Sequence, residues 1–284
     1  IHREMKIINT VKELRAELEI CRGRGESIGL VPTMGALHNG HVSLVERAVA
    51  ENDVVVVSIF VNPTQFNDKE DLRNYPRTLD ADCALLQAAG AAIAFAPSVE
   101  EMYPEPDTRE FSFAPLDTVM EGACRPGHFN GVAQIVSKLF DYVEPDRAYF
   151  GEKDYQQICV IQRMVEDFKW NIEIVPCPVI REESGLARSS RNTLLSDDER
   201  LLAAHIYRIL SESKNLDQSV SETHDYVVEQ IDAIEGLKVQ YFSIVDGKTL
   251  ADVGSWDDAE SVVGCITVYC GAVPIRLIDH IRYK

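Results

Sequence analysis

The sequence predicts a doubly wound, Rossmann-like parallel α/β domain over residues 5–178, followed by a smaller α+β domain over residues 179–284. Three observations lead there. From residue 28 to about 176, short β-rich apolar runs alternate with stretches of helical period, the pattern of parallel strands joined by crossover helices. Val54-Val55-Val56-Val57 is continuously β-branched, as a strand buried on both faces requires. After Pro176 and Pro178 the order changes to two helical segments and then three strand-like runs, whose short Gly- and Asp-containing connections suit antiparallel pairing.

In chain order, the strands of the first part are expected at 28–31, 54–61, 92–95, 147–150 and 171–175. Between them, Val42, Val45, Ala48 and Val49 share one helical face, and Leu79, Cys83, Leu86 and Gln87 share a second that ends at Gly90. Val132, Ile135, Val136, Leu139 and Val143 form a third. The second part is expected to hold helices at 197–213 and 221–235 and strands at 238–245, 261–269 and 275–278. Ser196 ahead of Asp197-Asp198-Glu199 reads as an N-cap with acidic side chains at the positive end of the helix dipole.

Composition narrows the function. A chain of 284 residues with 45% hydrophobic and 26% charged residues is globular, not disordered. With Lys+Arg 28 against Asp+Glu 46 the net charge is −18, and the basic residues are scattered, so a nucleic-acid partner is excluded. The longest apolar stretches, 54–61 and 88–96, are too short to span a bilayer, which argues against a membrane protein. Seven Cys without a C-x-x-C pair, and no secretory signal pattern, lead us to expect a reducing, cytoplasmic location. Met5 reads as the natural start, and residues 1–4 are set aside as a remnant ahead of it.

The most informative segment is Val31-Pro32-Thr33-Met34-Gly35-Ala36-Leu37-His38-Asn39-Gly40-His41, which leads from a strand end into a helix, where α/β sheets bind ligands. Two histidines three apart at a helix N-terminus, with Gly35 and Gly40 permitting close backbone approach, would aim imidazole and amide donors at one point, which suits a phosphate. A metal site is a competing reading, but no other histidine stands with a Cys or carboxylate at metal-ligand spacing. A pair of satisfied capping histidines is the structural alternative.

His38-Asn39-Gly40-His41 resembles the H-x-G-H element of the nucleotidyltransferase superfamily, and the longer string resembles that of the pantothenate synthetase (pantoate–β-alanine ligase) family. Further motifs of that family follow in order: Phe60-Val61-Asn62-Pro63-Thr64-Gln65-Phe66, Tyr75-Pro76-Arg77-Thr78, Gly122 with Arg125-Pro126-Gly127-His128-Phe129, Phe150-Gly151-Glu152-Lys153-Asp154-Tyr155-Gln156-Gln157, and Ser189-Ser190-Arg191-Asn192. The resemblance covers nearly the whole chain from Met5. It implies ATP-dependent condensation of (R)-pantoate with β-alanine to pantothenate through a pantoyl-adenylate, with release of AMP and pyrophosphate, by a homodimer that uses Mg2+.

It also implies roles. ATP would lie along Met34, Gly35, Ala36, Leu37, His38, Asn39, Gly40 and His41, with His38 as the catalytic histidine and His41 as a second donor. Gly151, Glu152, Lys153 and Asp154 follow a strand at the same sheet edge, Lys153 meeting the phosphates and Asp154 the ribose hydroxyls. From residues alone, Lys153-Asp154 could equally be a solvated salt bridge. Ile180 and Arg188 extend the ATP site, and Ser189, Ser190 and Arg191 form an arm closing over the triphosphate. Gln65 and Gln157 would grip pantoate, assisted by Asn62 and walled by Phe60; Asp82 matches a position near the metal, or is a solvated helix carboxylate. Attack at the α-phosphate builds negative charge, so positioned donors and cations are what this chemistry needs.

Three positions depart from the family pattern: Arg188 where an apolar residue is usual, Ser184 in place of Asp, and His280 in place of Asn. Other classes fit less well. A nicotinamide oxidoreductase would share the fold, but no G-x-G-x-x-G follows the first strand. A fragment of an aminoacyl-tRNA synthetase would share H-x-G-H, but the −18 charge opposes tRNA. A module that binds nucleotide without turnover is the third alternative.

Overall fold

A computed structural model describes residues 4–284; residues 1–3, most of the stretch set aside ahead of Met5, lie outside the described residues. The first layer system runs β1 (Lys6–Ile8), α1 (Val11–Gly23), β2 (Ile28–Thr33), α2 (Asn39–Glu51), β3 (Val54–Ile59), α3 (Lys69–Asn74), α4 (Leu79–Ala89), β4 (Ile93–Phe95) and α5 (Val99–Met102). It continues through α6 (Glu121–Cys124), α7 (His128–Val143), β5 (Arg147–Gly151), α8 (Tyr155–Phe168) and β6 (Glu173–Cys177). The six strands are parallel in the order β1-β4-β3-β2-β5-β6.

That order places the site. From β2 the chain steps outward to β3 and β4 on one side, whereas β5 and β6 lie on the other, so the topological switch falls between β2 and β5. Pairing of β2 with β5 ends at Leu30 and Ala148, although β2 continues to Thr33 and β5 to Gly151. The two carboxyl ends therefore part, and a crevice opens between the loops that follow them.

Alternation in the β-branched run builds both faces. Val54 and Val56 join Leu14, Leu18 and Leu139 in one core, and Val55 and Val57 join Val45, Ala48 and Leu86 in another. The remaining elements are α9 (Asp197–Ser213), α10 (Val220–Asp232), and the antiparallel strands β7 (Leu237–Asp246), β8 (Val262–Cys270) and β9 (Ile275–Arg282). Ile206 and Leu210 of α9 and Val227 and Ile231 of α10 pack on Phe242, Ile266 and Val268 in a core of their own. Ser196 caps α9 in a reciprocal box with Glu199.

Several expectations are corrected. β1 and α1 add to the expected elements: β1 is a three-residue edge strand with almost no periodic signal, whereas α1 buries Leu14, Leu18 and Cys21 at helical spacing. The run expected to 61 stops at Ile59, ahead of the turn at Pro63–Gln65. On α4, Leu79 and Gln87 are exposed and Asp82 is buried, because the Asp82 carboxylate is taken up by backbone donors. Pro176 lies inside β6, which tolerates it as an edge strand. Strand β9 runs on to Arg282, continuing its pairing with β8. No helix of the described residues is long and apolar enough to cross a membrane.

Candidate active site

The chain leaves β2 through two left-handed residues, Gly35 (φ 78°) and Ala36 (φ 50°), before entering α2. Asp82 of α4 holds this turn: its oxygens accept the Ala36 N–H at 3.0 Å, the Leu37 N–H at 2.8 Å and the Thr78 hydroxyl at 3.1 Å. With these oxygens so engaged, Asp82 holds the turn that leads into α2.

His38 is the N-cap of α2 and His41 its third residue. The His38 Nδ1 accepts the Gly40 N–H at 3.1 Å, and the His41 Nδ1 accepts the His38 N–H at 3.3 Å. Accepting at Nδ1 places the proton of each neutral ring on Nε2. Burial, followed by the Lys153 and Arg188 charges, lowers the His38 pKa to about 4; burial, His38 and Lys153 lower that of His41 to about 3. Both imidazoles are therefore neutral at pH 7. Each caps the helix with one nitrogen and keeps an N–H on the other, and both rings line the cleft. Gly40 permits the arrangement, since a Cβ there would stand 2.8 Å from the His38 Cε1.

The cleft holds about 210 Å3. Lys153 and Asp154, from the turn after β5, face His38 and His41 across it, and the Lys153 Nζ lies 3.4 Å from Asp154. The switch point thus brings the two sequence motifs together, as strand order alone requires.

Met34, Phe60, Asn62, Gln65 and Gln157 also line the cleft. Asn62 is 1% exposed and fully engaged: its amide donates to the Gln65 Oε1 and the Gly131 carbonyl, both at 3.1 Å, and its oxygen accepts from Tyr103 at 2.7 Å and Thr64 at 3.2 Å. Its contribution is to orient Gln65. α7 reaches the turn that carries Gln65 only because residue 131 is Gly, where a Cβ would meet the Thr64 carbonyl at 2.3 Å. Gln157 faces the cleft with no side-chain partner among the described residues, whereas adjacent Gln156 is buried and bonded to Glu121, Leu116 and Val119.

Ser189, Ser190 and Arg191 close the cleft from the second layer system. The Ser190 hydroxyl donates to the Ala36 carbonyl at 3.2 Å, and Arg191 pairs with Asp71 of α3 at 2.8 Å. Ile180 accepts the Arg188 N–H at 3.0 Å and so anchors the root of the arm. Gly35, Ala36, Leu37, Asn39, Gly40, Gly151, Glu152, Ile180 and Arg188 are not on the cleft wall; most of them shape the turns that carry residues which are.

Tyr75, Arg125 and His128 are among the lining residues that were quoted within motifs but not picked out as site residues. The His128 Nδ1 lies 2.9 Å from the Gln65 carbonyl, and burial, then Arg125, lowers its pKa to about 4. Arg125 lies within 3.8 Å of Glu121, and burial lowers its pKa. Their one sequence signal was a pair of polar residues just ahead of the apolar face of α7.

This site has known counterparts. The family profile described as pantoate-beta-alanine ligase matches residues 6–282. A pantothenate synthetase from Bacteroides thetaiotaomicron is 64% identical over 282 residues, 99% of each chain, and one from Porphyromonas gingivalis is 56% identical over 99% of this chain and 100% of the relative. The crystal structure of pantothenate synthetase from Thermus thermophilus superposes with a TM-score of 0.92 at 46% identity, covering 98% of this chain and 99% of the other. Pantoate-beta-alanine ligase from Francisella tularensis, complexed with beta-gamma ATP and beta-alanine, superposes with a TM-score of 0.83 at 35% identity over 98% of each chain. The order of strands, the cleft at their switch point and these full-length matches agree: the chain belongs to the pantoate–β-alanine ligase family.

Proposed function

We propose that the pantothenate synthetase activity of this chain, the ATP-dependent ligation of pantoate and β-alanine, runs through a pantoyl-adenylate held in the cleft between the β2 and β5 loops. The observation that supports this reading is the convergence of two neutral imidazole N–H donors and the Lys153 ammonium in one cleft that the amides of Gln65 and Gln157 also line. A carboxylate oxygen of pantoate attacks the α-phosphorus of ATP, the bond to the β-phosphate oxygen breaks, and pyrophosphate leaves. His38, His41 and Lys153 stabilise the charge that builds on the phosphoryl oxygens, from positions fixed before substrate arrives. Gln65 and Gln157 each offer a donor and an acceptor, which suits a hydroxy acid, and Phe60 supplies the apolar wall. The β-alanine amine then attacks the activated carbonyl, loses a proton, and AMP departs.

Asp154 would accept from the ribose, and the Ser189-Ser190-Arg191 arm would cover the phosphates. No cluster of three or more His, Cys, Asp or Glu side chains able to hold a metal occurs among the described residues. In this reading Mg2+ enters with ATP, whose phosphate oxygens supply most of its ligands. The homodimer belongs to the same proposal, with sedimentation equilibrium as its test. The reaction order is tested by exchange of labelled pyrophosphate into ATP, which should require pantoate and not β-alanine. Exchange that appeared only with β-alanine present would overturn the adenylate.

A further inference from the structure

We propose that Tyr103, which stands off the cleft wall, is a positioning residue for pantoate: its hydroxyl, acting through Asn62, holds the Gln65 side-chain amide with the N–H2 turned to the cleft. The proposal rests on the reading of Gln65 as a pantoate ligand and gives that ligand a direction.

The two ends of an amide have the same shape, so its partners decide which end points where. At Asn62 the decision starts from the main chain. The Gly131 carbonyl can only accept, and the Asn62 Nδ2 donates to it at 3.1 Å. The Oδ1 is thereby turned the other way, where Tyr103 donates to it at 2.7 Å and Thr64 at 3.2 Å. The second N–H of Nδ2 reaches the Gln65 Oε1 at 3.1 Å and fixes that oxygen at the contact. What remains of Gln65 is its N–H2 group, whose one partner among the described residues is the Met34 thioether at 3.4 Å, a weak acceptor that a substrate oxygen readily replaces. The substrate group that meets this N–H2 is therefore an oxygen acceptor.

Tyr103 is the member of the relay that comes from far along the chain, 41 residues beyond Asn62, where it ends α5. Its ring centroid lies 6.2 Å from that of Phe60 and 5.2 Å from the Lys138 Nζ, and these contacts fix the direction of the hydroxyl. Burial raises the Tyr103 pKa, so the hydroxyl keeps its proton and acts as a donor. Asn62 is 1% exposed, so solvent does not replace a lost donor. Without Tyr103 the Asn62 Oδ1 would keep only the longer bond from Thr64, and a buried oxygen short of a donor is relieved by turning the side chain, which carries Gln65 with it. The main chain of Gln65 would stay in place, because its carbonyl lies 2.9 Å from the His128 Nδ1.

The test measures KM for pantoate and for ATP in pyrophosphate exchange for wild type, Tyr103→Phe, Tyr103→Leu and Gln65→Ala, each checked for fold by circular dichroism. Tyr103→Phe keeps the ring and removes only the donor. It should raise the KM for pantoate about three- to tenfold, the size of one lost hydrogen bond, with the KM for ATP within about twofold and kcat falling by less than the KM for pantoate rises. Tyr103→Leu should add little to that rise. A Tyr103→Phe enzyme with the wild-type KM for pantoate, and a loss seen only in Tyr103→Leu, would overturn the proposal and leave Tyr103 as packing. An equal rise for ATP would overturn it as well, since a general loosening of the cleft would then explain the effect. An unchanged KM for pantoate in Gln65→Ala would instead sink the reading of Gln65 itself, and the relay with it.

Discussion

Two polar regions of the molecule are built on opposite rules. At the seam between the layer systems, the buried Glu121 carboxylate accepts from Arg276 at 2.6 and 2.7 Å, Tyr241 at 2.7 Å and Thr267 at 2.9 Å, one partner from each strand of the second sheet. Burial works to raise its pKa, yet the Arg276 contacts and the two hydroxyls hold it at about 2. At the amino end of α2, by contrast, the His38 and His41 rings, Lys153 and Arg188 offer far more donors than the surrounding protein can accept. Saturated polar groups lock the scaffold, and unsaturated ones await a ligand. Asp82, Asn62 and Gln156 follow the first rule; Gln157 and Arg188 follow the second.

The contrast makes separable predictions. On the unsaturated side, Lys153→Ala and His38→Ala should each lower adenylation by roughly 10²-fold or more, the cost of one preorganised donor, Lys153→Ala with little change in thermal midpoint and His38→Ala with the loss of a helix cap, about 0.5–2 kcal/mol. Pyrophosphate exchange and circular dichroism on the same samples check this. Folded variants with near-normal exchange would remove those residues from the phosphate site.

On the saturated side, Glu121→Ala should cost about 3–5 kcal/mol of stability, because it strands Arg276 without its carboxylate. Urea unfolding measures it. A variant as stable as wild type would show that the seam is not a lock.

Asp82→Asn sharpens the comparison at a residue for which both rules have been entertained. It should destabilise the turn after β2 by about 1–3 kcal/mol, the cost of stranding one backbone donor, and raise the KM for ATP. The Mg2+ dependence at saturating ATP should keep its midpoint. A midpoint displaced to higher Mg2+ would return Asp82 to the metal.

The smallest expected effect is on pH. His38, His41 and His128 have pKa values lowered in the fold to about 4, 3 and 4 from an ordinary 6.5, so below 6.5 the unfolded chain binds more protons than the native one. Stability should therefore fall as pH drops from 6.5 towards 3 to 4, and Glu121 should add a further loss between 4.5 and about 2. Thermal midpoints across that range, compared with a His128→Gln variant whose slope should be shallower, check the sign. A flat profile from pH 6.5 to 4 would mean that the histidines are not held neutral.

What the sequence by itself determined was local and chemical. The β-branched run of Val54 to Val57, the helical face of α7 and the Ser196 cap are set by neighbours within a few residues, and each is found. The pairing of His38 with His41 is likewise local, which is why both the phosphate reading and the capping reading were visible there: one ring nitrogen serves each. A sequence states what a side chain can donate or accept. Only the tertiary structure decides which of those valences remain free, because the partners come from far along the chain: Asp82 reaches Ala36 across 46 residues, Asn62 reaches Gly131 across 69, and Glu121 reaches Arg276 across 155. Those distant contacts engaged both oxygens of Asp82, separated Gln156 from Gln157, and left Arg188 without a carboxylate partner among the described residues.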